Sequence, residues 1–351
     1  VRAAALSLAE TTLLDALDWA RRATLRRVGR LPGVATARRR REVRLTAVAT
    51  LSIGAAFALA VLATSPVLAL SPLLFGIPHV ASDLRYLVVR RAAGGPAPHA
   101  RRPMLALLAV TAVAGAAGAS SMALGAAGAA VLVAGLSVPA KPAARALFVA
   151  LVAAAALGGA RRPDAAALVV AQGHNVVAIA LAAYLVKDKL RAGWIPALAL
   201  GAGMLALGLG ACDGLLGRGP IASFAGGAWQ DALATVAPTG SGPTVARRFV
   251  ALFAFAQSIH YAAWLRLVPD AERASERPPS FRRSFDLLAA DFGRPAALAT
   301  VALSLALPAI ACLSLDGARR AYLNVALFHG FLEIAVVSAL VLGSRRREPS
   351  Q

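Results

Sequence analysis

Residues 321–343 read AYLNVALFHGFLEIAVVSALVLG. A run of this length and composition fits a bilayer core, which takes about 20 apolar residues to cross as a helix. Its acidic and basic side chains are His329 and Glu333, four residues apart and so on one helix face. An apolar run with a polar pair inside it bears on the fold and on a site together.

The same layout recurs along the chain. Apolar runs fall at roughly 45–64, 67–89, 103–119, 121–138, 143–159, 165–186, 194–212, 245–267, 295–315 and 321–343. The composition agrees: 58% of residues are hydrophobic, 15% are charged and the mean hydropathy is +0.67. Soluble domains run at about 45–50% apolar and about 25% charged. The expected fold is an all-α, polytopic membrane helix bundle of about ten transmembrane helices over 45–343. A cytoplasmic amphipathic and basic segment precedes it at 1–44, and a cytoplasmic tail follows at 344–351. Nine spans are the alternative, with the short break at Ser120–Ser121 read as a kink. Residues 213–244, with Trp229, read as an outer loop and partial lid, and 268–294 as a solvated, Arg-rich inner loop.

Charge gives an independent view of orientation. With both termini inside, the inner loops and the tail hold 18 Lys and Arg, and Arg21 to Arg44 add ten. The outer loops and span ends hold seven: Arg161, Arg162, Arg218, Arg247, Arg248, Arg319 and Arg320. That bias predicts an N-in, C-in chain in a bacterial-type inner membrane. The net charge of +20 is accounted for in the same way. It sits in short blocks between apolar runs and forms no groove or aromatic-interleaved stripe, so nucleic acid is not an expected partner. Residues 1–31 include Glu10, Asp15 and Asp18 and lack the apolar core of a cleavable signal; they read as a surface helix. Cys212 and Cys312 form no CxxC pair, which argues against a metal–thiolate site. Both fall at outer span ends, as small buried thiols or, alternatively, as a disulfide.

Of five histidines, His99 lies among Pro and Arg in a loop and reads as solvated. The other four, His79, His174, His260 and His329, fall in four different runs. Counted from the inner charges, His79, His174 and His329 lie ~10–15 residues deep, roughly 15–22 Å at helical rise. His260 looks shallower, six residues before Arg266, unless its helix continues past Val268. Polar company gathers around them. Asp83 follows His79 at i+4, Glu333 follows His329 at i+4, Gln172 and Asn175 flank His174, and Gln257 and Tyr261 flank His260. Ionisable residues inside spans are costly and generally face a bundle interior, so a shared site is expected. Asp83 has a structural alternative, an ion pair with Arg85 or a loop arginine.

Neutral imidazole binds iron, copper and zinc without adding charge. The expected ligands are therefore His79, His174, His260 and His329, with Asp83, Glu333 and Tyr261 as candidate catalytic side chains. The carboxylates either accept the second ring N–H of a histidine or are ligands themselves. Pro72 and Pro78 interrupt helical hydrogen bonding just before His79 and offer a kink beside the metal.

The segment Phe75–Asp83, FGIPHVASD, resembles the G-[LI]-P-H-x-x-x-D motif of the Brp/Blh family of bacterial integral-membrane carotene dioxygenases. Gln257–Trp264 and Phe328–Glu333 are similar to its two later histidine-bearing segments. Two positions depart from it: Trp264 stands where the family has a second histidine, and Val80 where it often has glycine. The resemblance implies histidine-held iron, with His79, His260 and His329 as ligands, and oxygen-dependent cleavage of a carotenoid to an aldehyde such as retinal. His174 enters on the residue argument alone.

Four functions follow as expectations. The first is a non-haem iron oxygenase, with Fe(2+) and dioxygen, that oxidises or cleaves a carotenoid- or isoprenoid-like substrate dissolved in the bilayer. The second is a Zn(2+)-dependent lipid hydrolase with Asp83 or Glu333 as general base. The third is a proton- or ion-coupled transporter using the same residues as a relay. The fourth is a haem protein with His174 and His329 as axial ligands.

Overall fold

The computed structural model describes residues 2–29, 32–92, 94–216, 226–275 and 280–344. Among the described residues the chain is helical, with no strand. The helices are α1 (Arg2–Val28), α2 (Pro32–Arg39), α3 (Arg41–Leu62), α4 (Thr64–Asp83), α5 (Pro98–Ala116), α6 (Ser120–Leu136), α7 (Pro142–Arg161), α8 (Pro163–Val186), α9 (Trp194–Gly208), α10 (Gly226–Val236), α11 (Pro243–Ala262), α12 (Val268–Ala271), α13 (Phe281–Phe292), α14 (Arg294–Ala311) and α15 (Leu315–Ser344).

Among the described residues six stretches are long and apolar enough to cross a membrane: Arg41–Leu62, Thr64–Val89, Pro142–Arg161, Ala165–Lys189, Arg294–Ala311 and Leu315–Gly343. α6 and α9 are as apolar but shorter. Every run read from the sequence is helical, with shifted ends. The run 245–267 is part of a longer rod, because α11 continues through a π-helical turn, Ala263–Leu267, into α12. His260 therefore lies well inside a continuous helix. α4 likewise continues through a π-helical turn, Leu84–Val89.

Two regions read as loops contain helices. α10 lies within 213–244 because Trp229, Ala232, Leu233 and Val236 repeat at helical spacing and pack into the core beside Phe255. The proposed lid is thus partly a packed helix, and 217–225 lie outside the described residues. Within 268–294, α13 starts at Ser280, whose Oγ accepts from the Arg283 amide at 3.1 Å. α13 docks on α1, where the Asp18 carboxylate accepts from the amides of Phe281 (2.7 Å) and Arg282 (3.3 Å). Residues 276–279 and the tail arginines Arg345, Arg346 and Arg347 fall outside the described residues. Both cysteines are free, so no disulfide forms.

The core divides into two apolar clusters. One gathers Ile53, Leu68, Leu207, Phe255 and Ile259, and the other Leu45, Tyr86, Met104, Trp264 and Leu332. α4 and α11 contribute to the first and their π-helical continuations to the second, with their histidines between the two contributions. The polar layer is therefore enclosed by greasy packing on either side.

Pro72 shows how the sequence sets this geometry. Proline has no N–H, so it frees the carbonyl four residues back, that of Leu68. The buried Arg319 of α15 supplies the missing donor, with Nε 3.1 Å from the Leu68 oxygen and Nη1 2.9 Å from Asp231. α4 is thus tied to α15 at its irregular point. α5 and α15 meet backbone to backbone, since a Cβ at Gly115 would collide with the Asn324 carbonyl oxygen. Gly125 of α6 has nothing within 4 Å of such an atom. Gly115→Ala should therefore lower stability by about 1–3 kcal/mol, and Gly125→Ala should not. Thermal unfolding of the purified variants reads the difference, and equal midpoints would sink the close-approach account.

Candidate metal centre

Four helices bring the expected side chains together. α4 supplies His79 and Asp83, α8 supplies His174 and Asn175, α11 supplies His260 and Tyr261, and α15 supplies His329 and Glu333. The imidazole ring centroids lie 4.7 Å apart for His79–His329 and 5.1 Å for His79–His260. His174 lies 5.5 Å from His260 and 5.6 Å from His329. His79, His260, Asp83 and Glu333 are fully buried, and His329 nearly so. His99 is exposed, as its loop position implied.

Every ring of the cluster is anchored through Nδ1. His79 bonds the Phe75 carbonyl at 3.2 Å, His174 the Val170 carbonyl at 3.2 Å, and His329 the Ala326 carbonyl. A carbonyl only accepts, so Nδ1 carries the hydrogen in each. His260 reaches the Asn175 Oδ1 at 3.0 Å. The amide is oriented by its own Nδ2, which donates to the Ala171 carbonyl at 3.2 Å. In this tautomer each Nε2 presents a lone pair. The Nε2 atoms of His79, His260 and His329 are buried without a hydrogen-bond partner, as are all four carboxylate oxygens of Asp83 and Glu333. Buried polar atoms in native proteins nearly always have partners, and a cluster of acceptors without donors is the arrangement a cation completes.

The tightest group is His79, Asp83, His260 and His329, whose ligand atoms all lie within 4.8 Å of one another. This revises the expected set: Asp83 joins it, and His174 stands beside it. The carboxylates do not accept the second ring N–H, because backbone carbonyls and Asn175 already do. Asp83 Oδ2 approaches His79 Nε2 at 4.0 Å, and Glu333 Oε1 approaches His260 Nε2 at 3.4 Å. Glu333 thus serves a histidine on another helix rather than the one at i−4. The alternative for Asp83 also falls away, since Arg85 pairs with Asp291 at 2.5 Å.

Other neighbours take roles that spacing alone did not give. Gln172 donates to the Val236 and Phe249 carbonyls at 3.3 and 3.1 Å, tying α8 to α10 and α11. The Tyr261 hydroxyl accepts from Gln257 at 3.1 Å, and its ring lies 4.5 Å from that of His79. Tyr322 lies over Gly76, where a Cβ would strike its ring. The π-helical turn after Ala262 shifts the carbonyl register, and Ser82 donates to the Trp264 carbonyl at 2.5 Å. π-Helical turns recur at functional sites; here they follow Asp83 and Ala262 directly.

An apolar groove of about 500 Å³ opens between α3, α4 and α11. Its wall includes Leu59, Leu74, Phe75 and Tyr261, and Tyr261 separates it from His79. Leu59, Leu74 and Phe75 are also exposed on the outer surface.

Comparison with family models, with curated proteins and with solved structures gives no match.

Asn175 is the one side chain that fixes a histidine tautomer in the cluster. Asn175→Leu should weaken metal binding by about 10–100-fold while leaving helix content unchanged. Metal titration of the purified variant checks it, and wild-type affinity would remove Asn175 from this role.

Proposed function

We propose that the chain is a membrane-embedded, metal-dependent oxygenase of lipophilic substrates, with Fe(2+) as its metal. The observation that carries the reading is the buried set of His79, His260 and His329 Nε2 atoms with the Asp83 carboxylate, all aimed together and unpartnered. Histidine with carboxylate is a donor set that non-haem Fe(II) oxygenases use, and imidazole also suits zinc and copper. Bound there, iron supplies the dioxygen chemistry. The chain's own residues orient the ligands, exclude water and hold the substrate.

The groove supports a lipophilic substrate. Its lining is almost wholly apolar, and it reaches the Tyr261 wall beside His79. A carotenoid- or isoprenoid-like chain fits that chemistry, and the sequence resemblance favours it. This reading takes the helices as a ten-span bundle, N-in and C-in, in a bacterial-type inner membrane, on the bias of Lys and Arg between its two faces.

One observation favours a second reading. Glu333 Oε1 lies 3.4 Å from His260 Nε2, so a carboxylate that could serve as a general base stands against the site. With Zn(2+) in the same donors the chain would be a lipid hydrolase. A proton relay through the same layer is the non-enzymatic alternative.

Metal analysis of the purified protein separates these readings. Iron is expected at about one per chain, as a single histidine–carboxylate site predicts. His79→Ala, His260→Ala and His329→Ala should each lose it, while His174→Ala keeps most of it. Oxygen uptake with a polyene in detergent should require the iron. Zinc with oxygen-independent activity would shift the assignment to the hydrolase, and no metal in a folded preparation would overturn both enzymes.

A further inference from the structure

At the N-terminal end of α3, two guanidinium groups converge on one carboxylate, and two more arginines stand nearby. Arg44 donates through Nε and Nη2 to the two Asp270 oxygens at 2.7 and 2.9 Å, and Arg273 closes on Oδ1. Both oxygens are thereby engaged. Arg41, one turn before Arg44, gives its guanidinium to the Ser275 carbonyl at 2.6 Å. Arg266, one turn before Asp270, is exposed. Among the described residues neither Arg41 nor Arg266 forms an ion pair with a carboxylate. The nearby Lys189 and Glu272 cancel each other at 2.7 Å. Among the described residues the ion pairs at this cluster thus leave Arg41 and Arg266 without a carboxylate partner. Burial first, and then the charges of Arg44, Arg266 and Arg41, push Arg273 down to about 10.

At one end, the lining of the apolar groove runs along the two helices that carry this cluster. Leu265 lines it and immediately precedes Arg266, and Ser52 lines it two turns beyond Arg44 on α3. An apolar slot with arginines further along the same helices matches a molecule with a long chain and an anionic head. Guanidinium suits phosphate in particular, because its planar fork bonds two oxygens at once. Basic pockets between helices at a membrane face bind anionic headgroups on the same principle.

We propose that the groove between α3, α4 and α11 binds an anionic phospholipid, with an acyl chain along the slot and its phosphate on Arg41 and Arg266. A zwitterionic lipid fills the slot equally well but brings no net negative charge to Arg41 and Arg266. The chain of the bound lipid lies against Tyr261, so this lipid and any lipophilic substrate share one approach to the metal centre. The site does not depend on the metal, and metal-free protein tests it separately from the oxygenase reading.

The experiment is native mass spectrometry of the metal-free, detergent-solubilised protein with dioleoylphosphatidylglycerol or dioleoylphosphatidylcholine. The wild type should retain phosphatidylglycerol preferentially. Each arginine near a lipid surface contributes about fivefold, so R41Q/R266Q should remove a preference of up to about thirtyfold. R266Q alone, at an exposed position, should remove about fivefold and guards against a folding defect in the pair. A55W, which fills the slot from an exposed lining position, should weaken both lipids. Inorganic phosphate at equal concentration should displace neither. Equal retention of the two lipids by the wild type would overturn the proposal, as would a preference that survives R266Q and R41Q/R266Q. Displacement by inorganic phosphate, or binding unaffected by A55W, would show an anion site without a chain site and overturn it equally.

Discussion

The structure turns on a desolvation problem. Three imidazole Nε2 atoms and four carboxylate oxygens are buried without a donor among them. Removing an ionised carboxylate from water without a partner costs several kcal/mol or more. Neutral imidazoles do not relieve that cost, because each has already given its Nδ1 hydrogen to a carbonyl or to Asn175. A divalent metal ion held by these residues would remove the problem, taking up the lone pairs and balancing Asp83 and Glu333 in charge.

Much of the fold serves to hold those atoms still. The apolar clusters on either side of the polar layer leave the four helices little freedom to shift. Small residues let backbones meet, as at Gly115 against Asn324. The irregular points are bonded rather than loose. Arg319 occupies the carbonyl that Pro72 releases, and Ser82 donates to the Trp264 carbonyl in the π-helical turn of the neighbouring helix. Helix breaks inside apolar surroundings persist where other side chains bond the freed backbone groups, and these contacts do so on both sides of the site.

The sequence made the helices legible because runs such as 321–343 are long, apolar and bounded by charge. It made the cluster legible because ionisable residues inside such runs are few, so those present stand out. It did not separate ligands from neighbours. Spacing put Glu333 with His329, whereas the assembled bundle sets its carboxylate beside His260 of α11. Spacing put Gln172 with His174, but its side chain points to α10 and α11. Polarity hid α10 and α13, whose apolar faces are short and interrupted by Gly, Asp or Arg. The depth of His260 was hidden too, because Arg266 looks like the end of a span. The helix in fact runs on to Ala271, and Arg266 faces outward from its last turns.

Separation of the groove from the cage has a chemical consequence. Tyr261 belongs to both, lining the slot and lying 4.5 Å from His79. Its hydroxyl is held by Gln257, one turn earlier on the same helix, so the ring is fixed from its own backbone. Phe75 stands beside it at 6.2 Å, and the Phe75 carbonyl is the acceptor that orients His79. The wall that an apolar chain touches is thus built from the residues that fix the nearest ligand. Movement of Phe75 or Tyr261 to admit a substrate would be felt at His79 through one hydrogen bond and one ring contact. On the oxygenase reading, substrate entry and ligand geometry are mechanically linked, which suits a centre that should meet oxygen only when a chain is in place.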